Sequence, residues 1–106
     1  MDKFKIILRD DASDDLRGII AYIASDNPTA AKNMQRKFRE KIKGLALFPR
    51  QGRIIPEETL AEIGFRMIST GSYTIFYLVK EDTVLIYRIL HSARDYPTIL
   101  ACGKDL

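Results

Sequence analysis

The spacing of apolar residues changes period along the chain, and each change marks a different element. Phe4-Lys5-Ile6-Ile7-Leu8 is short and mostly apolar, which predicts a strand. From Ala12 onward the apolar residues recur at helical spacing, as Ala12, Leu16, Ile19, Ile20 and Ile23, with Asp14, Asp15 and Arg17 between them. This is an amphipathic helix with one buried stripe. Asp10 or Asp11 is expected to cap it and to favour its positive end. Asp26-Asn27-Pro28 stops that helix and starts another. Asn27 is a good cap, and Pro28 suits the first helical position, where a missing N–H loses no partner. The second helix presents Ala31, Met34, Phe38, Ile42 and Leu45 on one face and ends before Pro49. Two helices joined this tightly predict an antiparallel hairpin.

Phe48-Pro49-Arg50-Gln51-Gly52-Arg53 reads as a turn. An irregular stretch with Pro56, Glu57, Glu58 and Glu62 follows as far as Gly64, with room for a helical turn. Three segments rich in Ile, Val, Tyr and Phe come next: Phe65 to Ser69, Tyr73 to Val79 and Thr83 to Leu90. Thr70-Gly71-Ser72 and Glu81-Asp82 separate them at hairpin length, so an antiparallel meander is expected. Ile75, Tyr77 and Val79 alternate with Phe76 and Leu78, as in a central strand covered on both sides. The helix hairpin covers one face. The other is expected to meet a C-terminal segment, a partner or a ligand. The fold class is α+β, one domain over residues 1–106: an N-terminal strand, a helix hairpin, a three-stranded antiparallel meander and a short C-terminal helix from Tyr96 to Leu100.

Composition narrows the setting. A chain of 106 residues builds one modest core. Hydrophobic residues at 46% and charged residues at 29% describe an ordinary globular domain. No apolar run approaches the roughly 20 residues that span a bilayer, and the start lacks the pattern of a signal peptide, so a cytoplasmic protein is expected. Cys102 alone forms no internal disulfide and is read as incidental. One Cys and one His supply too few ligands for a Cys/His zinc site, and neither a metal nor another cofactor is expected. The net charge of +3 is compatible with contact to nucleic acid, a ribosome or an acidic protein.

Several local patterns occur in one order: Asp15-Leu16 with Ile19 and Tyr22-Ile23-Ala24; Asn27-Pro28 with Ala30-Ala31; Leu45 and Phe48-Pro49 with Gly52-Arg53; Phe65-Arg66; Tyr73 with Phe76-Tyr77; Ile86 with Arg88-Ile89-Leu90-His91; and Arg94-Asp95. Together they resemble the RelE/ParE superfamily of type II toxin–antitoxin toxins, in its ParE-like branch, from Phe4 to Leu100. The resemblance implies a growth-arresting toxin with a cognate antitoxin partner, stored with it as a hetero-oligomer and covering the open sheet face. ParE-like members are associated with poisoning of DNA gyrase. RelE-like members cut messenger RNA on the ribosome. An inactive member that binds its antitoxin is a third outcome.

Whether the chain is an enzyme turns on a few side chains. Metal-free RNA cleavage needs a base for the 2′-hydroxyl, cations for the phosphorane and an acid for the leaving oxygen. His91, Arg66 and Arg88 are the catalytic candidates if the chain is a ribonuclease, with Arg94 and Tyr96 near them in sequence. His91 is the one side chain whose ordinary pKa, about 6.5, suits both proton roles. Strict strand alternation puts Arg88 and His91 on opposite faces unless the strand ends or bulges near Leu90. That favours a plainer role for His91, marking the strand end with a bond to backbone. Arg66 is either paired with an acid across the sheet or a cation on the open face. Asp95 is expected to cap the last helix, with Arg94 paired nearby. RelE-type nucleases hold the scissile phosphate with lysines in the loop before the sheet. Ile54 to Gly64 here has no lysine and three glutamates, which repel phosphate. Glu57, Glu58 or Glu62 could act as a base, but nothing in the sequence positions them. This departure favours the gyrase reading. Arg50, Arg53, Arg66, Arg88, Arg94 and Tyr96 are the candidates for contact with target or antitoxin. Charge reversal at Arg66 or Arg88 is expected to weaken target engagement without unfolding. The basic second helix is read as a solvated face by default.

Overall fold

A computed structural model describes residues 3–102 of the chain. In order, the elements are β1 (Lys5–Leu8), α1 (Asp10–Asp26), α2 (Pro28–Leu47), β2 (Arg53–Ile54), α3 (Glu58–Ile63), β3 (Arg66–Thr70), β4 (Tyr73–Lys80), β5 (Thr83–His91) and α4 (Tyr96–Cys102). The strands form one five-stranded sheet in the order β1-β5-β4-β3-β2. β1 lies parallel to β5, and the other neighbours are antiparallel. The N-terminal strand therefore returns to pair with the last one, which ties the two ends of the domain together.

Local chemistry explains most boundaries. Asn27 accepts the Ala30 N–H at 3.0 Å and opens α2, with Pro28 in its first turn. α1 departs from expectation at its start. Its cap is Arg9, which makes no side-chain cap bond, and Asp10 and Asp11 lie inside the first turn. There they still meet the positive end of the helix. The irregular stretch contains both β2 and α3. The Glu57 carboxylate accepts the N–H groups of Leu60 and Thr59 at 2.9 and 3.4 Å and so caps α3. Gly64 closes that helix at φ +102°, a left-handed conformation that costs a residue without Cβ nothing.

Two apolar cores sandwich the sheet. On the helix side, Phe38 and Leu45 of α2 and Ala12 of α1 pack on Ile75, Tyr77, Val84, Ile86 and Ile89. On the opposite side, Ile55, Leu60, Phe65 and Leu100 pack on Phe76, Leu78, Tyr87 and Leu90. The surplus sheet face is thus covered by the chain itself, through the segment around α3 and the C-terminal α4. Phe76 and Leu78 keep 2% and 4% of their surface exposed, so no antitoxin is needed to bury them. Of the coverings expected, a C-terminal segment is found, joined by the segment around α3, and the expectation that an antitoxin covers an open sheet face is corrected. Each such side chain contributes about 1.5–3 kcal/mol by leaving water, which is enough to hold short elements like α3 in place. Tyr96 stacks on Phe76 with ring centroids 5.0 Å apart, and Phe65 meets Tyr87 edge-on at 4.8 Å. Cys102 ends α4, and its side chain lies outside the described residues.

A bulge in β5 sets which residues face which core. Phe76 pairs with Arg88 and Tyr77 with Ile86, so Tyr87 is an extra residue. Beyond it the alternation changes phase. Val84 and Ile86 face the helices before the bulge, and Ile89 does so after it. Without the extra residue, Ile89 would turn to the α3 and α4 side.

Candidate functional site

The candidate residues divide into those held by the fold and those left at the surface. Arg88 belongs to the first group. β1 ends at Leu8, opposite Ile86, so the edge of β5 beyond it lacks a strand partner. α1 passes this point, and Asp15 takes the place of the missing strand. Its carboxylate accepts the Ile89 backbone N–H at 2.9 Å and two guanidinium N–H groups of Arg88, Nε at 2.7 Å and Nη2 at 2.8 Å. The two side chains retain 23% and 14% of their surface, so the pair is largely withdrawn from water. The bonds to Asp15 raise the Arg88 pKa further, against the opposing effect of burial. Arg88 is a positively charged strut between helix and sheet.

Arg66 is held in a different way. It pairs with Tyr77 across β3 and β4, and therefore lies on the helix side of the sheet. Its Nη1 donates to the carbonyls of Gly52 at 2.7 Å and Arg50 at 3.3 Å. The sequence expectation, an acid partner or a place on the open face, is corrected: backbone carbonyls take its guanidinium. Beneath it the Tyr77 hydroxyl accepts the Gly52 N–H at 2.9 Å. Burial pushes the Tyr77 phenol upward, while the Gly52 N–H and the nearby Arg66 charge pull it back. Gly52 is needed for this approach. A Cβ there would lie 2.5 Å from the Tyr77 hydroxyl oxygen and 2.7 Å from the Met67 carbonyl oxygen. Arg66, Tyr77 and Gly52 together pin the turn after α2 to the sheet. Charge reversal at Arg66 or Arg88 would break these supports, so neither tests target contact without also disturbing the fold.

His91 and Arg94 lie at the surface. His91 is the last residue of β5, and its Nδ1 accepts the Ala93 N–H at 3.1 Å. That bond leaves Nε2 to carry the proton of the neutral ring. Its ring packs edge-to-face with Tyr73, centroids 5.5 Å apart. Alternation still sets Arg88 and His91 on opposite faces of β5, because the pairing from Arg88 to His91 is regular. Arg88 reaches α1 across the unpartnered edge of β5, where it bonds Asp15, and so Arg88, His91 and Arg94 line one cleft of about 350 Å³ against α1, together with Asp15, Tyr22 and Tyr73. Tyr22 is 77% exposed. Tyr96 is held in the second core, and Asp95 bonds the Thr98 hydroxyl at 2.9 Å. Arg50 and Arg53 are exposed at the opposite end of the sheet, beside the exposed side chains of Phe48 and Ile54. Glu57 is occupied as a helix cap. Asp15, the residue that organises the cleft, had a signal in the sequence. It sits three residues after Ala12 and one before Leu16, on the buried stripe of α1, and a carboxylate there needs a partner.

Comparison with known proteins decides the family. Residues 6–96 match the family described as ParE toxin of the type II toxin–antitoxin system parDE. The chain belongs to the ParE toxin family. This ParE toxin also resembles solved structures. The chromosomal ParDE toxin–antitoxin system of P. aeruginosa superposes with a TM-score of 0.68 at 22% identity, over 84% of this chain and 96% of that one. The toxin–antitoxin complex RelBE2 of Mycobacterium tuberculosis gives a TM-score of 0.59, also at 22% identity, over 84% of this chain and 98% of that one. At this identity the likeness concerns the fold. No protein with a curated description matches the chain. Among the described residues of the toxin, no helix is long and apolar enough to cross a membrane.

Proposed function

We propose that this ParE toxin arrests growth in the cytoplasm by binding and inhibiting DNA gyrase, without chemistry of its own, and that a cognate antitoxin neutralises it in a hetero-oligomer. The observation that carries this reading is the state of the would-be nuclease residues. The Arg66 guanidinium is used by two carbonyls, that of Arg88 by Asp15, and Tyr96 by stacking on Phe76. A ribonuclease needs such cations free to meet a phosphorane. The segment from Ile54 to Gly64 adds three glutamates and no lysine, which weakens any grip on RNA. The solved relatives are toxin–antitoxin systems, which supports an antitoxin partner here. The exposed Leu47 and Phe48, with Arg50 beside them, offer such a partner apolar and charged contacts at the end of α2.

One observation favours a second reading. Arg88, His91 and Arg94 share a cleft, so a ribosome-dependent cut of messenger RNA would be centred on His91. His91→Gln separates the two. The gyrase reading expects growth arrest on induction to persist in full, because His91 does no chemistry. Loss of arrest in a variant that still folds and still binds its antitoxin would move the assignment to the ribonuclease.

A further inference from the structure

α2 concentrates the positive charge of the chain. It carries six Lys or Arg residues and one acid, so the remaining residues hold eleven cations against thirteen acids and are net negative. Five of the six are exposed, and four of these, Lys32, Arg36, Arg39 and Lys43, follow at i, i+4, i+7 and i+11. At 3.6 residues per turn they fall within about 60° of arc and form a ridge about 16 Å long. That ridge is turned about 130° away from the stripe of Ala31, Phe38 and Leu45 that packs on the sheet. Glu40 stands to one side of it. Among the described residues the ion pairs are Arg17 with Asp14 and Arg88 with Asp15, so no acid neutralises the ridge. Like charges three and four residues apart oppose the helix. A polyanion laid along the ridge relieves that repulsion.

The surroundings narrow the polyanion. A protein partner normally meets an interface with an apolar centre, and the apolar groove of Leu8, Leu16, Phe38 and Ile42 touches the ridge only at Arg39 and Lys43, so a partner seated there leaves Lys32 and Arg36 unused. Single-stranded nucleic acid binds through stacked aromatics, and the aromatic within α2, Phe38, is 1% exposed. Duplex RNA has a deep, narrow major groove that excludes a helix, whereas that of DNA, about 12 Å wide, admits one. We infer that α2 lies along the major groove of duplex DNA with its Lys32-Arg36-Arg39-Lys43 ridge against the phosphate backbone, without reading the sequence. The inference goes beyond the gyrase reading and does not depend on it, since it concerns the affinity of this chain for DNA alone.

Fluorescence anisotropy of the full chain with a short mixed-sequence DNA duplex, repeated over a salt series, tests the inference. Four phosphate contacts give a slope of log K against log salt of about −3.6, and Arg36→Gln/Arg39→Gln brings it to about −1.8. Lys37→Gln/Lys41→Gln, on another side of the same helix, leaves the slope unchanged. Thermal melts of both variants verify that these surface changes leave the fold intact. Absence of salt-dependent duplex binding by the parent chain overturns the inference, as does an equal loss in both variants. Tighter binding of poly-glutamate than of the duplex at matched charge assigns the ridge to an acidic protein and also overturns it.

Discussion

Asp15→Ala is expected to destabilise the toxin by about 3–5 kcal/mol, the usual cost of removing one partner from a largely buried ion pair. Three donors lose their acceptor together: two N–H groups of Arg88 and the backbone N–H of Ile89. The Arg88 guanidinium has little access to water to compensate, with 23% of the side chain exposed. In a domain of this size each kcal/mol moves Tm by about 4–8 °C, so the melt should shift by at least about 12 °C. Asp15→Asn keeps one acceptor oxygen and removes the charge, and should fall between the parent and the alanine variant. A melt of Asp15→Ala within a few degrees of the parent would mean that Arg88 finds water, and that Asp15 does not stand in for a missing strand. Because this change loosens the cleft around His91, reduced toxicity in Asp15→Ala reports stability rather than chemistry.

Gly52→Ala is the second large effect, an expected loss of about 2–3 kcal/mol, within the range for forcing a methyl group into a packed site. The obstacles are two: the Tyr77 hydroxyl oxygen at 2.5 Å and the Met67 carbonyl oxygen at 2.7 Å from the added Cβ. Moving the turn away from them breaks the Gly52 N–H bond to Tyr77 and draws the Gly52 carbonyl from Arg66. Tyr77→Phe alone should cost about 1–2 kcal/mol, since it leaves a buried N–H without an acceptor. The Gly52→Ala penalty should then be smaller in the Tyr77→Phe background, because the nearer obstacle and the bond to be broken are both gone. Denaturant melts of the four proteins in this cycle give the coupling directly. Additive losses would show that the turn moves as a unit, without Tyr77 restraining it.

Much of the fold was legible because its signals are local. The 3.6-residue period of Ala12, Leu16 and Ile19, the Asn27-Pro28 junction and the two hairpin connections each act within a few residues. Pairing distant in sequence was less legible. Nothing near Lys5–Leu8 announces a parallel match to Thr83–Ile86, and β2 is too short to show any period. α3 is a single capped turn and a half, recognisable once Glu57 is seen to bond two backbone N–H groups. The bulge at Tyr87 left no signature, because Leu85, Ile86, Ile89 and Leu90 make both faces of β5 apolar in either phase. Alternation separates Arg88 from His91, and they meet in one cleft because Arg88 bonds Asp15 of α1 across the unpartnered edge of β5. The C-terminal segment was one expected cover of the second sheet face, but the part played by the α3 segment was not legible. The apolar content of the Ile55–Phe65 segment and of α4 is modest, but Ile55, Leu60, Phe65 and Leu100 all fall on the covering side. Arg66 fits neither expectation, an acid partner across the sheet or a place on the open face, because its partners are backbone carbonyls, which a side-chain pattern does not reveal.

The central claim is that this ParE toxin stops growth through DNA gyrase rather than through messenger RNA. Pulse-labelling after induction without antitoxin, with DNA and protein synthesis followed in the same cells, tests it most directly. Thymidine incorporation should fall first, with amino-acid incorporation declining later. An early fall in amino-acid incorporation while DNA synthesis continues would contradict the claim and point to the His91 cleft.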